Sequence, residues 1–152
     1  MFQRILVVCT GNICRSPVAA AMLRARLPGR EVHSAGLGAL GGHGVEPTAA
    51  ALARADGLEV TEHRARQLTA EMLAAADLVL VMSEGQRRAV ATLVPEALGK
   101  TMLLGRWLEG GQGREIPDPY RRPQQVFEQV HGLLKQATAA WAKRLQGPGS
   151  PG

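Results

Sequence analysis

An open, doubly wound α/β sheet of about four parallel strands, with helices on both faces, is the fold this sequence predicts. Two observations carry it: short continuous apolar runs recur along the chain, and segments bracketed by helix start and stop signals separate them. The first run, Ile5-Leu-Val-Val8, ends at a Gly-containing turn. A helix follows that opens at Pro17, carries Val18, Met22, Leu23 and Leu27, and stops at Pro28. Val32-His-Ser-Ala35 is a weaker strand and completes a βαβ unit. Pro47 and Gly57 bracket a second helix, and Thr69 with Glu71 and Met72 starts a third. Asp77-Leu-Val-Leu-Val-Met82 is the next strand, after which Ser83 caps a fourth helix running to Val94. Thr101-Met-Leu-Leu104 is the last strand. A final helix begins near Pro123 and sets Val126, Phe127, Val130, Leu133, Leu134, Ala137, Trp141 and Leu145 on one face, which should cover one side of the sheet. No repeat or linker divides the chain, so residues 1–146 read as one domain and Gly147-Pro-Gly-Ser-Pro-Gly152 as a disordered tail.

Composition removes several function classes. The 152 residues are 45% hydrophobic and 20% charged, values of a globular chain, with no run near the ~18 apolar residues of a membrane span. Gly-Asn-Ile-Cys-Arg-Ser after Val8 is no small-residue cleavage site, so a mature cytoplasmic chain without membrane insertion is expected. The net charge of +5 permits an acidic partner, but the basic residues are dispersed. Two Trp, two Phe and one Tyr are too few for a nucleic-acid stacking platform. His33, His43, His63 and His131 have no metal-ligand spacing, and no cofactor is implied.

Chemistry concentrates in the turn after the first strand. Cys9-Thr-Gly-Asn-Ile-Cys-Arg-Ser16 joins a strand to a helix, so successive backbone N–H groups can converge on one oxyanion. Gly11 takes positive φ freely, Asn12 tolerates the left-handed region, and Arg15 adds a forked pair of donors. The turn lacks the Gly-Lys-Ser/Thr ending of a nucleotide loop and the G-x-G-x-x-G spacing of a dinucleotide turn. Aligned N–H dipoles, Arg15 and the Ser16 hydroxyl around Cys9 favour thiolate over thiol, which makes Cys9 a candidate nucleophile. Ser16, just before Pro17, also reads as an ordinary helix N-cap. Asp118, between Pro117 and Pro119, reads as a turn former when taken alone.

Val8-Cys-Thr-Gly-Asn-Ile-Cys-Arg-Ser-Pro17, His33-Ser-Ala-Gly36 and Ile116-Pro-Asp-Pro-Tyr120 resemble, in the same order, signatures of the low-molecular-weight protein tyrosine phosphatases. The resemblance runs from about Phe2 to Leu145, and Ala35-Gly-Leu-Gly-Ala-Leu40 with the segment near Trp107 is most similar to the bacterial branch linked to exopolysaccharide export. It implies that Cys9 attacks phosphorus to form a phosphocysteine, that Arg15 and the amides of Thr10, Gly11, Asn12, Ile13 and Cys14 hold the phosphate, and that Asp118 serves as acid and then base. By the same resemblance Ser16 eases departure of the sulfur, and Asn12 and Ser34 brace the loop. Cys14 corresponds to the family's second loop cysteine, either a redox partner of Cys9 or a buried thiol. The chain departs from the eukaryotic branch at Leu40 and Arg121, where aromatic residues are common. Tyr120, Ile13 and Leu40 remain to form an apolar slot, with Arg121 and Arg122 free to attract acidic flanks or simply to make a solvated turn.

The implied substrate is a phosphotyrosine protein, a tyrosine autokinase in that branch. Three alternatives fit the sequence less well. The related arsenate reductases relay electrons through later cysteines, and none follows Cys14. The phosphoarginine phosphatases usually carry Thr where Ile13 stands. A phosphopeptide-binding module would not require Cys9 together with Asp118.

Overall fold

The computed structural model describes residues 2–146, so the tail expected at 147–152 lies outside the described residues. Four parallel strands, β1 (Arg4–Cys9), β2 (Glu31–Gly36), β3 (Leu78–Val81) and β4 (Thr101–Leu103), form one sheet in the order β2-β1-β3-β4. Five α-helices connect or cover them: α1 (Arg15–Arg26), α2 (Pro47–Ala55), α3 (Ala70–Ala75), α4 (Glu84–Leu93) and α5 (Gln124–Gln146).

Side chains of a strand alternate between faces, and β1 shows what that does in a sheet covered on both sides. Ile5, Val7 and Cys9 enter a core built with Val18, Leu23, Leu134 and Trp141 of α1 and α5. Leu6 and Val8 enter a second core with Leu73 of α3 and Val90 of α4. The whole run is buried because both faces are, which is why it reads as continuous rather than alternating. From β1 the chain goes to β2 on one side and later returns to β3 on the other, with Cys9 paired to Gly36 and Val8 to Val81. This reversal opens a crevice at the carboxyl end of β1, where such sheets bind ligands.

The predicted elements recur with shifted ends. Ser83 caps α4 by accepting from Gln86 N at 3.2 Å, and Thr69 caps α3 by accepting from Met72 N at 3.2 Å. Two corrections arise. The first helix opens at Arg15, two residues before Pro17, because the oxyanion turn itself winds into the helix; proline is tolerated within a first turn, where its missing N–H has no intrahelical partner anyway. Leu104 leaves the last strand for a short 3-10 turn, Leu104–Trp107. There Gly105 O accepts from Arg114 N at 3.0 Å, turning the chain toward the 116–120 segment. Trp107 packs edge-on against Trp141 at 5.5 Å, with the guanidinium groups of Arg106 and Arg144 at 4.6 and 3.9 Å from its ring centre. No helix among the described residues is long and apolar enough to cross a membrane.

Candidate active site

Between β1 and α1 the backbone must reverse within a few residues, and it does so through Asn12 at φ 59°. A left-handed conformation costs a non-glycine residue about 1–2 kcal/mol, and asparagine offsets part of that through local hydrogen bonds. Asn12 is fully buried. Its Nδ2 donates to Ser16 Oγ at 2.8 Å and Ser34 Oγ at 2.9 Å, and its Oδ1 accepts from Arg66 N at 3.0 Å. Its carbonyl accepts from His63 Nε2 at 2.7 Å. Residues from α1, β2 and the 63–66 segment therefore clamp one side chain and its peptide.

Cys9 ends β1 with its sulfur 2.9 Å from Ser16 Oγ. Because Ser16 Oγ already accepts from Asn12, its single hydrogen is free to point at the sulfur. This replaces the expected capping role: residue 14 occupies the N-cap of α1 and no side chain caps the helix. The Ser16 hydroxyl is turned inward by Asn12 instead.

A pocket of about 190 Å³ opens over Cys9. Thr10, Gly11, Ile13, Cys14 and Arg15 of the loop form its floor, and Gly38, Leu40, Asp118 and Tyr120 its walls. Leu40 is held at the rim by its N–H on Gly11 O at 3.1 Å. Arg15 is buried, donating from Nη1 to Ile116 O at 2.7 Å and placing Nη2 3.7 Å from Asp118 Oδ2. Its Nε is buried without a hydrogen-bond partner. A buried guanidinium donor without an acceptor is rare, and this one suits an anion in the pocket. Asp118 Oδ1 accepts from Tyr120 N at 3.0 Å, so the residue does form a local turn while its second oxygen faces Arg15. Arg121, at φ 62°, lays its guanidinium 5.3 Å from the Tyr120 ring centre.

Cys14 is a buried thiol pushed up to about 12, first by burial and then by the charges of Glu46, Asp118 and Cys9, with Arg15 opposing. It stays protonated at neutral pH. The two cysteines are both free. Among the described residues no group of three His, Cys, Asp or Glu side chains is arranged to hold a metal ion.

Sequence reasoning missed four supports of the loop. His63 is half-buried, and burial lowers its tendency to protonate. Arg66 donates its backbone N–H to Asn12 Oδ1 and its Nε to Ser34 O at 3.1 Å, and no sequence pattern points to either. Gln86 is fixed by Met82 N at 2.7 Å and donates to Thr10 Oγ1 at 3.2 Å. Gly36 lies so close that a Cβ there would sit 2.6 Å from Thr10 O. Only Gly36 left a legible signal, a glycine ending a strand beside a tight turn.

Residues 4–149 match the family model of the low molecular weight phosphotyrosine protein phosphatases. The chain belongs to that family. The phosphatase is 51% identical over 144 residues to the low molecular weight protein-tyrosine-phosphatase Etp of Escherichia coli K12, covering 95% of each chain. Its fold matches the crystal structure of the tyrosine phosphatase Wzb from Escherichia coli K30, solved in complex with sulphate, at a TM-score of 0.91 and 44% identity over 95% of this chain and 99% of that one. It also matches the YwlE arginine phosphatase of Geobacillus stearothermophilus, at a TM-score of 0.86 and 39% identity over 94% and 92% of the two chains. The family's enzymes are cysteine-dependent hydrolases, and the loop and Asp118 segment of this phosphatase both lie inside the matched region.

Proposed function

We propose that this phosphatase hydrolyses protein phosphotyrosine through a covalent phosphocysteine. The observation that carries the reading is one pocket holding Cys9, hydrogen-bonded to Ser16, under the buried guanidinium of Arg15 and across from the Asp118 carboxyl. Cys9 Sγ attacks phosphorus in line, the bond from phosphorus to the tyrosyl oxygen breaks, and Asp118 passes a proton to that oxygen. Arg15 and the loop amides hold the equatorial oxygens as charge redistributes. Asp118 then takes a proton from water, whose oxygen attacks phosphorus while the sulfur leaves, assisted by the Ser16 hydroxyl. Inorganic phosphate departs and Cys9 is restored. No step calls for a metal or an organic cofactor.

Ile13, Leu40 and Tyr120 surround the pocket mouth with apolar surface suited to an aryl ring. A phosphoarginine substrate is the second reading, favoured by the likeness to an arginine phosphatase. In keeping with the exopolysaccharide-associated relatives, the physiological substrate we propose is a cytoplasmic tyrosine autokinase or its targets. The deciding experiment is turnover of matched phosphotyrosine, phosphoserine and phosphoarginine peptides by wild type and Cys9→Ser in the presence of a chelator. Tyrosine-selective turnover lost in Cys9→Ser is expected. Tight binding without turnover would make the chain a recognition module, and arginine-selective turnover would establish the second reading.

A further inference from the structure

Leu40 lines the pocket over Cys9 yet is 37% exposed, and it belongs to a segment, Leu37-Gly-Ala-Leu-Gly-Gly42, in which every second or third residue is glycine. Glycine has the most backbone freedom to lose on ordering, so a wall of this composition stays in place only where its backbone is held from outside. The catalytic loop holds its inner edge: Leu37 N donates to Cys9 O at 3.0 Å, Gly38 N to Thr10 O at 2.9 Å and Leu40 N to Gly11 O at 3.1 Å.

Gln67 holds the outer edge. Its backbone bridges to Gly36 in parallel fashion, with Gly36 N on Arg66 O at 2.9 Å and Leu68 N on Gly36 O at 2.8 Å. Two residues further on, where the two backbones no longer pair, the Gln67 side chain repeats that pattern. Its Nε2 donates to Leu37 O at 2.8 Å and its Oε1 accepts from Ala39 N at 3.0 Å, so one amide grips Gly38 from both sides as a residue of a parallel strand would. The same stretch of chain holds the far end of the wall, because Gly42 N donates to Ala65 O at 2.9 Å and Ala65 N to His43 O at 2.8 Å. Between these contacts Arg66 N braces Asn12 Oδ1 at 3.0 Å. Residues 65–67 thus tie the wall and the phosphate cradle to one short segment, which sets the gap between Leu40 and the phosphate position.

We propose that Gln67 is a positioning residue for aryl selectivity: it does not line the pocket, and its amide holds the Leu37–Leu40 wall against the ring of the substrate. The proposal rests on the phosphotyrosine reading above.

The test compares two anions by calorimetry, benzylphosphonate, which carries a ring, and inorganic phosphate, which carries none; the ratio of their affinities isolates the grip on the ring. Wild type is expected to favour benzylphosphonate. Gln67→Met keeps the length of the side chain and removes both hydrogen bonds, and because Gln67 is exposed the change leaves no buried gap. It should lower the ratio by about three- to tenfold while phosphate affinity holds, less than losing an apolar contact in a closed pocket. Gln67→Glu, which keeps an acceptor for Ala39 N and loses the donor to Leu37 O, should fall between the two. Leu40→Ala should also lower the ratio, and adding Gln67→Met to it should lower the ratio no further, since the clamp acts through that side chain. A ratio unmoved by Gln67→Met, or full additivity in the double variant, overturns the proposal. Loss of fold would weaken both anions alike and leave the ratio at the wild-type value, which counts against it in the same way. Turnover of a phosphotyrosine peptide is followed alongside: turnover by wild type with a ratio insensitive to Gln67 defeats the proposal alone, whereas a wild type that turns over no phosphotyrosine defeats that reading and the proposal with it.

Discussion

Asp118 holds one carboxyl oxygen on its own turn and the other toward Arg15, an arrangement suited to delivering a proton at the pocket mouth. Protonation matters only when the departing oxygen is a poor leaving group. Asp118→Ala should therefore lower kcat about a hundredfold or more for phenyl phosphate and far less for an activated nitrophenyl ester, read from a leaving-group series. Equal loss across the series would remove the acid role. Cys14 makes a prediction in pH rather than in rate. The unfolded chain gives up this proton near the ordinary thiol value of 9.0, while the folded protein keeps it until about 12. The stabilisation from holding the neutral thiol is complete below pH 9 and is lost as pH rises toward 12. Wild type should lose more unfolding free energy than Cys14→Ala across that window, measured by denaturant titration at each pH. Parallel profiles would mean the thiol does not feel its burial.

At the level of elements, the segment carrying Asp118 has no regular secondary structure and depends on backbone bonds to its neighbours. Arg114 N reaches Gly105 O at 3.0 Å, Ile116 N reaches Met82 O at 2.9 Å, and Ile116 O receives Arg15. A Cβ on Gly105 would fall 2.1 Å from Arg114 O, so Gly105→Ala must push this segment away from the sheet. A loss of about 1–3 kcal/mol in stability is expected, together with a rate defect concentrated on poor leaving groups as in Asp118→Ala. Lost stability with unchanged leaving-group dependence would uncouple Gly105 from the site. The same segment shows where sequence reading stops. The strands and helices were legible because burial on two faces writes continuous apolar runs and because Ser83 and Thr69 cap their helices locally. The Cys9 to Ser16 motif was legible because its residues are adjacent. His63, Arg66 and Gln86 act on the loop from 51 to 76 residues away, through an imidazole, a backbone N–H and a side-chain amide whose partners no local pattern links to the loop. Of the two roles the sequence offers Ser16, the bond to the Cys9 sulfur forms and the helix cap does not, because a buried network outcompetes the local rule and turns the hydroxyl inward.

For the whole molecule, binding an anion is linked to folding, since the pocket over Cys9 exists only when β1, α1, the 37–40 loop and the 116–120 segment are assembled. Inorganic phosphate or sulfate should raise the melting temperature in proportion to the logarithm of its concentration once saturation is passed. Arg15→Lys, which removes the fork but keeps the charge, should flatten that rise; an equal rise in the variant would place the anion elsewhere. The dispersed net charge of +5 makes a part of any rise nonspecific, and chloride at matched ionic strength subtracts it. Asn12 carries a wider lesson about where such a signature resides. A synthetic peptide copying residues 8–17 would reproduce every letter of the motif and none of its curvature, because the atoms that bend it belong to Ser34, His63 and Arg66. The loop is thus a product of the finished chain, and transplanting it into another scaffold would require carrying those distant donors and acceptors along with it.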